Sequence, residues 1–334
     1  MRRVGALERF ELRPQAPFRL DLTVWVLRRR KHNAIDRFEG GCYRRVLMLG
    51  GRPVEVAVRQ VGPPDVPRLT VELRTARRGL DERATIECQG ALGRLLGLEV
   101  DLSGFYRLAR GDAQLDRLAQ RFSGMRPPRF PSTFEAVINA IACQQLSLVV
   151  GIHLLNRLTE RFGPTVSRAP GAFHGFPTPE QLADAELEDL RELGFSRAKS
   201  RAISDLARQL TSGDLDLEAL QGEEDARALG RLQALRGVGR WSAEYTLLRG
   251  LGRWNVLPGD DVGARNNLQR RFGLEIPPDY AAIHALSQIW APYGGLVYFH
   301  LLLDALAEDG FLAPNIVSNM PTGQRRTPGP RQLT

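Results

Sequence analysis

The sequence predicts an α+β fold: an N-terminal antiparallel sheet with helices, followed by an all-α core. Three observations carry this. Residues 1 to about 75 alternate apolar and polar side chains, with turn residues between the runs. From about residue 100 the apolar positions recur at helical spacing between capping residues. At 334 residues the chain exceeds one ordinary core and suffices for two or three.

The elements follow in order. "FELRPQAPFRL" opens with a strand, and "DLTVWVLRRRKHNAI" reads as a short helix with Asp21 as N-cap. "YRRVLMLGGRPVEVAVRQ" reads as a hairpin turning at Gly50-Gly51-Arg52, and "RLTVELRT" as a further strand. "LDERATIECQGALGRLLGL" is a helix to cover one sheet face. "PSTFEAVINAIACQQLSLVVGIHLLNRLTERFG" opens with a capping box, Ser132 and Glu135, and closes on Gly163. Ser147 caps the second of two helices there, and Pro179 takes a first-turn position in the next. The Pro-, Gly- and Arg-rich end, "VSNMPTGQRRTPGPRQLT", predicts disorder.

Composition narrows the chemistry. Hydrophobic residues at 43% and charged residues at 25% are ordinary for a globular chain. No apolar run reaches membrane-spanning length, and "MRRVGALERF" lacks the apolar core of a signal peptide, so a cytoplasmic protein is expected. Cys42, Cys88 and Cys143 form no C-x-x-C pair, which argues against zinc ribbons and cysteine-held clusters. The five histidines have no metal-binding spacing. Net charge is +8, and the first 60 residues, with 14 basic and 6 acidic side chains, account for all of it. Such a surface favours polyanions, above all nucleic acid. Arginine supplies nearly all the positive charge, because Lys31 and Lys199 are the two lysines.

The most informative stretch is "LQALRGVGRWSAEYTLLRGLGRWNVLPGDDVGAR". Leu232 and Leu235 lie on one side of a helix ending near Arg236, and a second helix runs from Trp241 to Leu251. Gly237 and Gly239 allow a tight turn between them. A Gly-x-Gly turn opening a helix directs backbone N–H groups outward, where they bind phosphate without reading sequence. The plainer alternative is a helical hairpin that uses glycine as a C-cap. Pro258 and Gly259 then break the chain, and Asp260 and Asp261 begin another helix. Either acid can serve as N-cap, which leaves the other for a cleft. An acid beside a phosphate-binding turn repels DNA, so it suits a role that needs negative charge, such as stabilising a cationic transition state.

Leu-x-x-Leu-x-Gly-Val-Gly-x-Trp-Ser-Ala, with Asp261 at 24 residues from Gly237, resembles the helix-hairpin-helix DNA glycosylase superfamily. Within it the chain is similar to the bacterial 3-methyladenine-DNA glycosylase II type. "FELRPQAPFRLDLTVWVL", "AIACQQLS" and "FPTPEQLADAELEDLRELGFSRAKSRAI" extend the likeness over most of the chain. On that pattern the chain divides into an α+β domain at 1–99, a helical subdomain at 100–119 and 256–312, a second at 120–255 carrying the hairpin, and a tail at 313–334. The resemblance implies Asp261 as the catalytic carboxylate and Asp260 as its structural neighbour. It assigns Leu235, Arg236, Gly237, Val238, Gly239 and Arg240 to DNA phosphate. Gln145 occupies the wedge position, with Leu146 beside it, and either could insert. Main-chain carbonyls of Gln233, Leu235 and Val238 match the site of a structural monovalent cation, Na+ or K+. No cofactor is implied for catalysis. Trp241 and Tyr245 match base-pocket aromatics, and Tyr293 stands where the family has a C-terminal pocket tryptophan. At the N-terminal pocket position the strict match is Val26, which leaves Trp25 or no aromatic. Arg236 replaces a usual proline, and Gly294 a usual arginine.

The implied partner is double-stranded DNA containing damaged bases, met by a monomer in the bacterial nucleoid. The implied reaction is excision of alkylated purines of the 3-methyladenine and 7-methylguanine type. Relatives that also cut the strand carry a lysine two residues after the last hairpin glycine. That position is Trp241, so a monofunctional enzyme leaving an abasic site is expected. Two other readings remain: a glycosylase for oxidised or deaminated purines, suggested by "QRFSGMRPPRF", and a non-catalytic DNA-binding module.

Overall fold

Alternating burial builds the N-terminal sheet. In the computed structural model, which describes residues 7–75, 81–168 and 171–312, Leu69, Val71 and Leu73 point to one face while their neighbours are half-exposed. The five strands, β1 (Leu7–Leu12), β2 (Arg37–Glu39), β3 (Cys42–Leu49), β4 (Arg52–Gln60) and β5 (Leu69–Arg74), are antiparallel in the order β1-β5-β4-β3-β2. The β3–β4 register pairs Leu49 with Arg52, which leaves Gly50 and Gly51 as a two-residue loop. Their φ values of 55° and 69° are those of a turn that matches strand twist and excludes most side chains.

Helices supply the rest: α1 (Leu20–Arg28), α2 (Glu82–Leu96), α3 (Ser103–Ala109), α4 (Ala113–Arg121), α5 (Thr133–Cys143), α6 (Leu148–Phe162), α7 (Pro179–Ala183), α8 (Leu187–Glu192) and α9 (Arg197–Ser212). After them come α10 (Asp225–Gln233), α11 (Arg240–Arg249), α12 (Val262–Phe272), α13 (Tyr280–Ile289) and α14 (Gly294–Glu308). Ser147 accepts the Val150 N–H and starts α6. Thr178 and Gln181 complete a capping box before Pro179. Three apolar cores result. The sheet, α2 and one side of α1 enclose the first; α5 to α11 surround the second; α3, α4, α12, α13 and α14 close on the third. Helix α1 belongs to two of them, with Leu20, Val24 and Leu27 toward the sheet and Leu22, Trp25 and Val26 toward α14. Its near-continuous apolar sequence reflects burial on all sides.

The structure corrects several local expectations. Asp21 is not the N-cap of α1; Arg19 is, and Asp21 sits in the first turn with the Arg19 guanidinium at 3.1 Å. Helix α10 ends at Gln233 rather than near Arg236, because the turn begins earlier. A small hairpin of β6 (Thr165–Arg168) and β7 (Gly171–His174) interrupts the helical half, which helical periodicity did not foresee. The tail expected to be disordered lies outside the described residues.

Glu135 completes only half of its expected capping box. Ser132 accepts the Glu135 N–H at 3.1 Å, but the Glu135 carboxylate turns to Arg45 of β3, at 2.5 Å. The same guanidinium donates to Asp36 at 2.7 Å, and Tyr43 donates its hydroxyl to Asp36 at 2.8 Å. These groups are all buried. Two carboxylates thus share one arginine out of water, and burial, the larger effect, raises the Glu135 pKa to about 7 against an ordinary 4.5. The sign follows from linkage. A group whose folded pKa is raised contributes stability that is full below 4.5 and is lost as pH rises through about 7. Glu135→Gln keeps the neutral form at every pH. Its melting temperature relative to wild type is therefore expected to rise as pH increases across that window. Parallel melting curves would show that this proton is not linked to folding.

Candidate active site

The hairpin between α10 and α11 is built by main-chain geometry. The Leu235 N–H returns to the Leu232 carbonyl and the Val238 N–H to the Leu235 carbonyl, both at 3.1 Å. Gly237 holds φ at +75°, and a Cβ there would lie 2.8 Å from the Ala202 methyl of α9. Both the dihedral and the close approach require glycine. Gly239 is the N-cap of α11 and offers no side chain to its first N–H groups. Those donors, at the positive end of the helix dipole, remain open to an anion.

The following turn delivers the acids. Glu244, on α11, accepts the Gly259 N–H at 3.0 Å and the Tyr280 hydroxyl at 2.7 Å, which anchors the Pro258-Gly259 bend. Asp260 pairs with Arg240 at 2.8 Å, and the Arg240 guanidinium lies 3.7 Å from the centre of the Tyr280 ring. Asp261 does both jobs that the sequence assigned to two residues. Its Oδ1 caps α12 by accepting the Ala264 N–H at 2.8 Å. Its Oδ2 faces the cavity and accepts from the Trp241 indole N–H at 3.1 Å and the Tyr298 hydroxyl at 3.2 Å. Burial, followed by the Asp261 charge, pushes the Tyr298 pKa well above its ordinary value, so the phenol stays a donor.

A cavity of about 1330 Å³ opens in front of Asp261. Gln233, Leu235, Gly237, Val238, Gly239, Arg240 and Trp241 line its hairpin side, and Gln144 to Leu148 form the lip next to them. Trp241 and Tyr245, one helical turn apart on α11, stand in its wall with ring centroids 5.3 Å apart. Arg29, held at φ +60°, lines the cavity beside them and donates to the Tyr245 hydroxyl and to Asn139, both at 2.8 Å. Leu146 is 43% exposed on the lip beside Gln145.

Two expected pocket residues lie elsewhere. Trp25 packs in the core against Phe311, because the face of α1 that carries it turns toward α14. Tyr293 stacks edge-on against Phe105 at 6.0 Å and does not line the cavity. Helix α14 begins just after it, at Gly294, and presents Tyr298, followed by Leu302, Ala305 and Leu306, to the cavity. Arg236, on the hairpin turn, pairs with Asp205 at 2.7 Å and keeps an exposed side chain. Sequence reasoning passed over Tyr298, Glu244, Arg29 and Gln144. A phenol within the apolar run "GGLVYFHLLL" was the one available signal, since a buried hydroxyl needs a partner.

Main-chain amides at a helix-hairpin-helix, beside a cavity walled by aromatic rings and a helix-capping carboxylate, define a DNA-repair architecture. The chain belongs to the HhH-GPD superfamily of base excision DNA repair proteins, whose family model matches residues 138–292. It is 30% identical over 202 residues to DNA-3-methyladenine glycosylase 1 of Schizosaccharomyces pombe, covering 58% of this chain and 81% of that protein. It is 26% identical over 285 residues to the DNA-3-methyladenine glycosylase of Bacillus subtilis, covering 85% of this chain and 93% of that one. Among solved structures it is similar to a 3-methyladenine DNA-glycosylase from Archaeoglobus fulgidus, with a TM-score of 0.78 and 28% identity over 89% of this chain and 99% of that chain. Among the described residues no helix is long and apolar enough to cross a membrane.

Proposed function

We propose that this protein is a monofunctional DNA glycosylase that flips alkylated purines out of duplex DNA and hydrolyses their N-glycosidic bond. The observation that carries this reading is Asp261, with one oxygen tied to the α12 amide and the other turned to the cavity beside Trp241. A base inside the duplex is unreachable, so it must leave the stack at a cost of a few kcal/mol, less where damage has weakened pairing. The α11 amides hold backbone phosphate while Gln145 or Leu146 fills the vacated gap. Alkylation at a ring nitrogen makes a purine cationic and a good leaving group. It also strengthens stacking on rings such as Trp241 and Tyr245. As the base departs with the bonding electrons, the sugar becomes oxocarbenium-like. The Asp261 charge stabilises it and orients water, whose oxygen bonds to C1′ while its proton is taken up by the carboxylate.

Strand cleavage by a Schiff base needs an amine. The indole of Trp241 supplies none, and the Lys199 ammonium is bound to the Ala142 and Gln144 carbonyls. The carbonyls of Gln233, Leu235 and Val238 belong to residues grouped along the hairpin edge of the cavity. The Leu235 oxygen accepts one N–H and keeps a second lone pair. This hard-oxygen set suits Na+ or K+, which would add positive potential where phosphate binds. The protein acts as a monomer on damaged duplex DNA. The test is a panel of duplexes carrying 3-methyladenine, 7-methylguanine, hypoxanthine or 8-oxoguanine, assayed with and without alkali. Release of the methylated purines with strand breaks only after alkali is expected. Breaks without alkali would refute the monofunctional assignment, and preference for 8-oxoguanine would refute the substrate class.

A further inference from the structure

The lip that carries Gln145 has a strained backbone, and two side chains that the reaction itself does not use are bonded on either side of it. Helix α5 ends at Cys143, and Gln145 then adopts φ +53°; with Arg29 it is one of two non-glycine residues at positive φ among the described residues. Such a backbone is costly for glutamine and persists only where its surroundings impose it. Lys199, on α9, donates to the Ala142 carbonyl at 3.1 Å and the Gln144 carbonyl at 2.8 Å. It thereby satisfies carbonyls at the negative end of α5. The Gln144 side chain reaches the other way, donating to the Gly237 carbonyl at 2.7 Å and the Ser242 hydroxyl at 2.6 Å. Gly237 in turn packs on Ala202 of α9, the helix that carries Lys199. Three elements distant in sequence are thus closed, by hydrogen bonds and one packing contact, into a ring beside the Gln145 turn.

We propose that Lys199 and Gln144 are positioning residues that lock the Gln145–Leu146 wedge to the phosphate-binding hairpin, so that gripping the backbone and filling the base gap occur as one preorganised step. A wedge fixed before DNA arrives loses little conformational freedom on insertion, so more of its contact energy is left to offset unstacking. The two residues act from opposite sides. Lys199 sets the end of α5, and Gln144 sets its distance from the hairpin. An ammonium brings three donors to this role, whereas an apolar side chain would leave both carbonyls bare.

The inference rests on the glycosylase reading only for its kinetic half. Single-turnover base release would be measured for wild type, Lys199→Met, Lys199→Arg and Gln144→Ala, with 7-methylguanine either paired in a duplex or placed in an unpaired bubble. On paired DNA, Lys199→Met and Gln144→Ala are expected to slow release about tenfold, the worth of one hydrogen bond in a barrier. In the bubble, where no pairing resists extrusion, both are expected to stay within about twofold of wild type. Lys199→Arg, which keeps the donors, is expected to recover most of the loss. Equal slowing on both substrates, or no slowing on either, would overturn the proposal. The second half needs no base release. With 2-aminopurine beside a tetrahydrofuran abasic analogue, saturating wild-type protein should raise fluorescence by unstacking the probe, and Lys199→Met should lose most of that rise. An undiminished rise would overturn the proposal, whereas a wild type that releases no base yet raises fluorescence would fault the glycosylase reading alone.

Discussion

Asp261→Asn is expected to lower base release by about 10³-fold or more while leaving DNA binding intact, as removal of a preorganised charge from a transition state does in other enzymes. The substitution nearly preserves shape, so the argument turns on charge and hydrogen-bond polarity. The carboxylate accepts on both oxygens: from the Ala264 N–H on one side, and from Trp241 and Tyr298 on the other. An asparagine presents one oxygen and one NH₂, so whichever way it turns, donor faces donor on one side. Keeping the cap would direct the NH₂ at Trp241 and Tyr298 and displace the indole that walls the cavity. The stability cost should stay near 1 kcal/mol, the usual size of one lost hydrogen bond. DNA affinity should hold or increase, because a negative charge near phosphate is gone. Single-turnover release and a parallel binding titration check both halves. Release at a near wild-type rate would remove Asp261 from the mechanism.

Arg45→Met is expected to destabilise the protein by about 3–5 kcal/mol, the range measured when one partner of a buried ion pair is removed. Arg45 is 1% exposed and is bonded both to Asp36 and to Glu135 at the start of α5. Methionine fills much of the same volume but leaves two carboxylates out of water with no cation against them. The loss should appear as a large drop in melting temperature. Adding Asp36→Asn and Glu135→Gln should restore part of it, because neutral amides need no counter-charge. A variant that melts with wild type would mean that the sheet and the α5 bundle are joined by apolar packing alone. The consequence reaches function, since α5 ends at the lip that carries Gln145.

Local rules made parts of the site legible. Gly237 could be read as a turn glycine because φ +75° and the approach to Ala202 leave no room for a side chain. Ser132, Ser147 and Thr178 were legible as helix starts because a cap bonds within three residues of itself. The family resemblance singled out Asp261 from its neighbour, but its double engagement with α12 and the cavity was not legible. The Tyr298 donor lies 37 residues away and Lys199 lies 55 residues from the carbonyl it holds, so no pattern in a window of one helix could reveal either. Glu135 shows the reverse case. A sound local rule assigned its carboxylate to a cap, and a buried arginine 90 residues distant won it instead, through the stronger charge-assisted bond.

By itself the sequence determined the succession of an N-terminal sheet and a mainly helical core, the glycine turn and the pair of acids that follows it. These depend on periodicity, backbone freedom and capping, all of which act over a few residues. Tertiary structure decided which aromatics face the cavity, sending Trp25 and Tyr293 into apolar packing and bringing Tyr298 to Asp261. It also decided that the lip and the hairpin are bonded together. Which side of a helix meets a cavity depends on how several cores close around it. That is a property of the packed whole, and no single segment carries it.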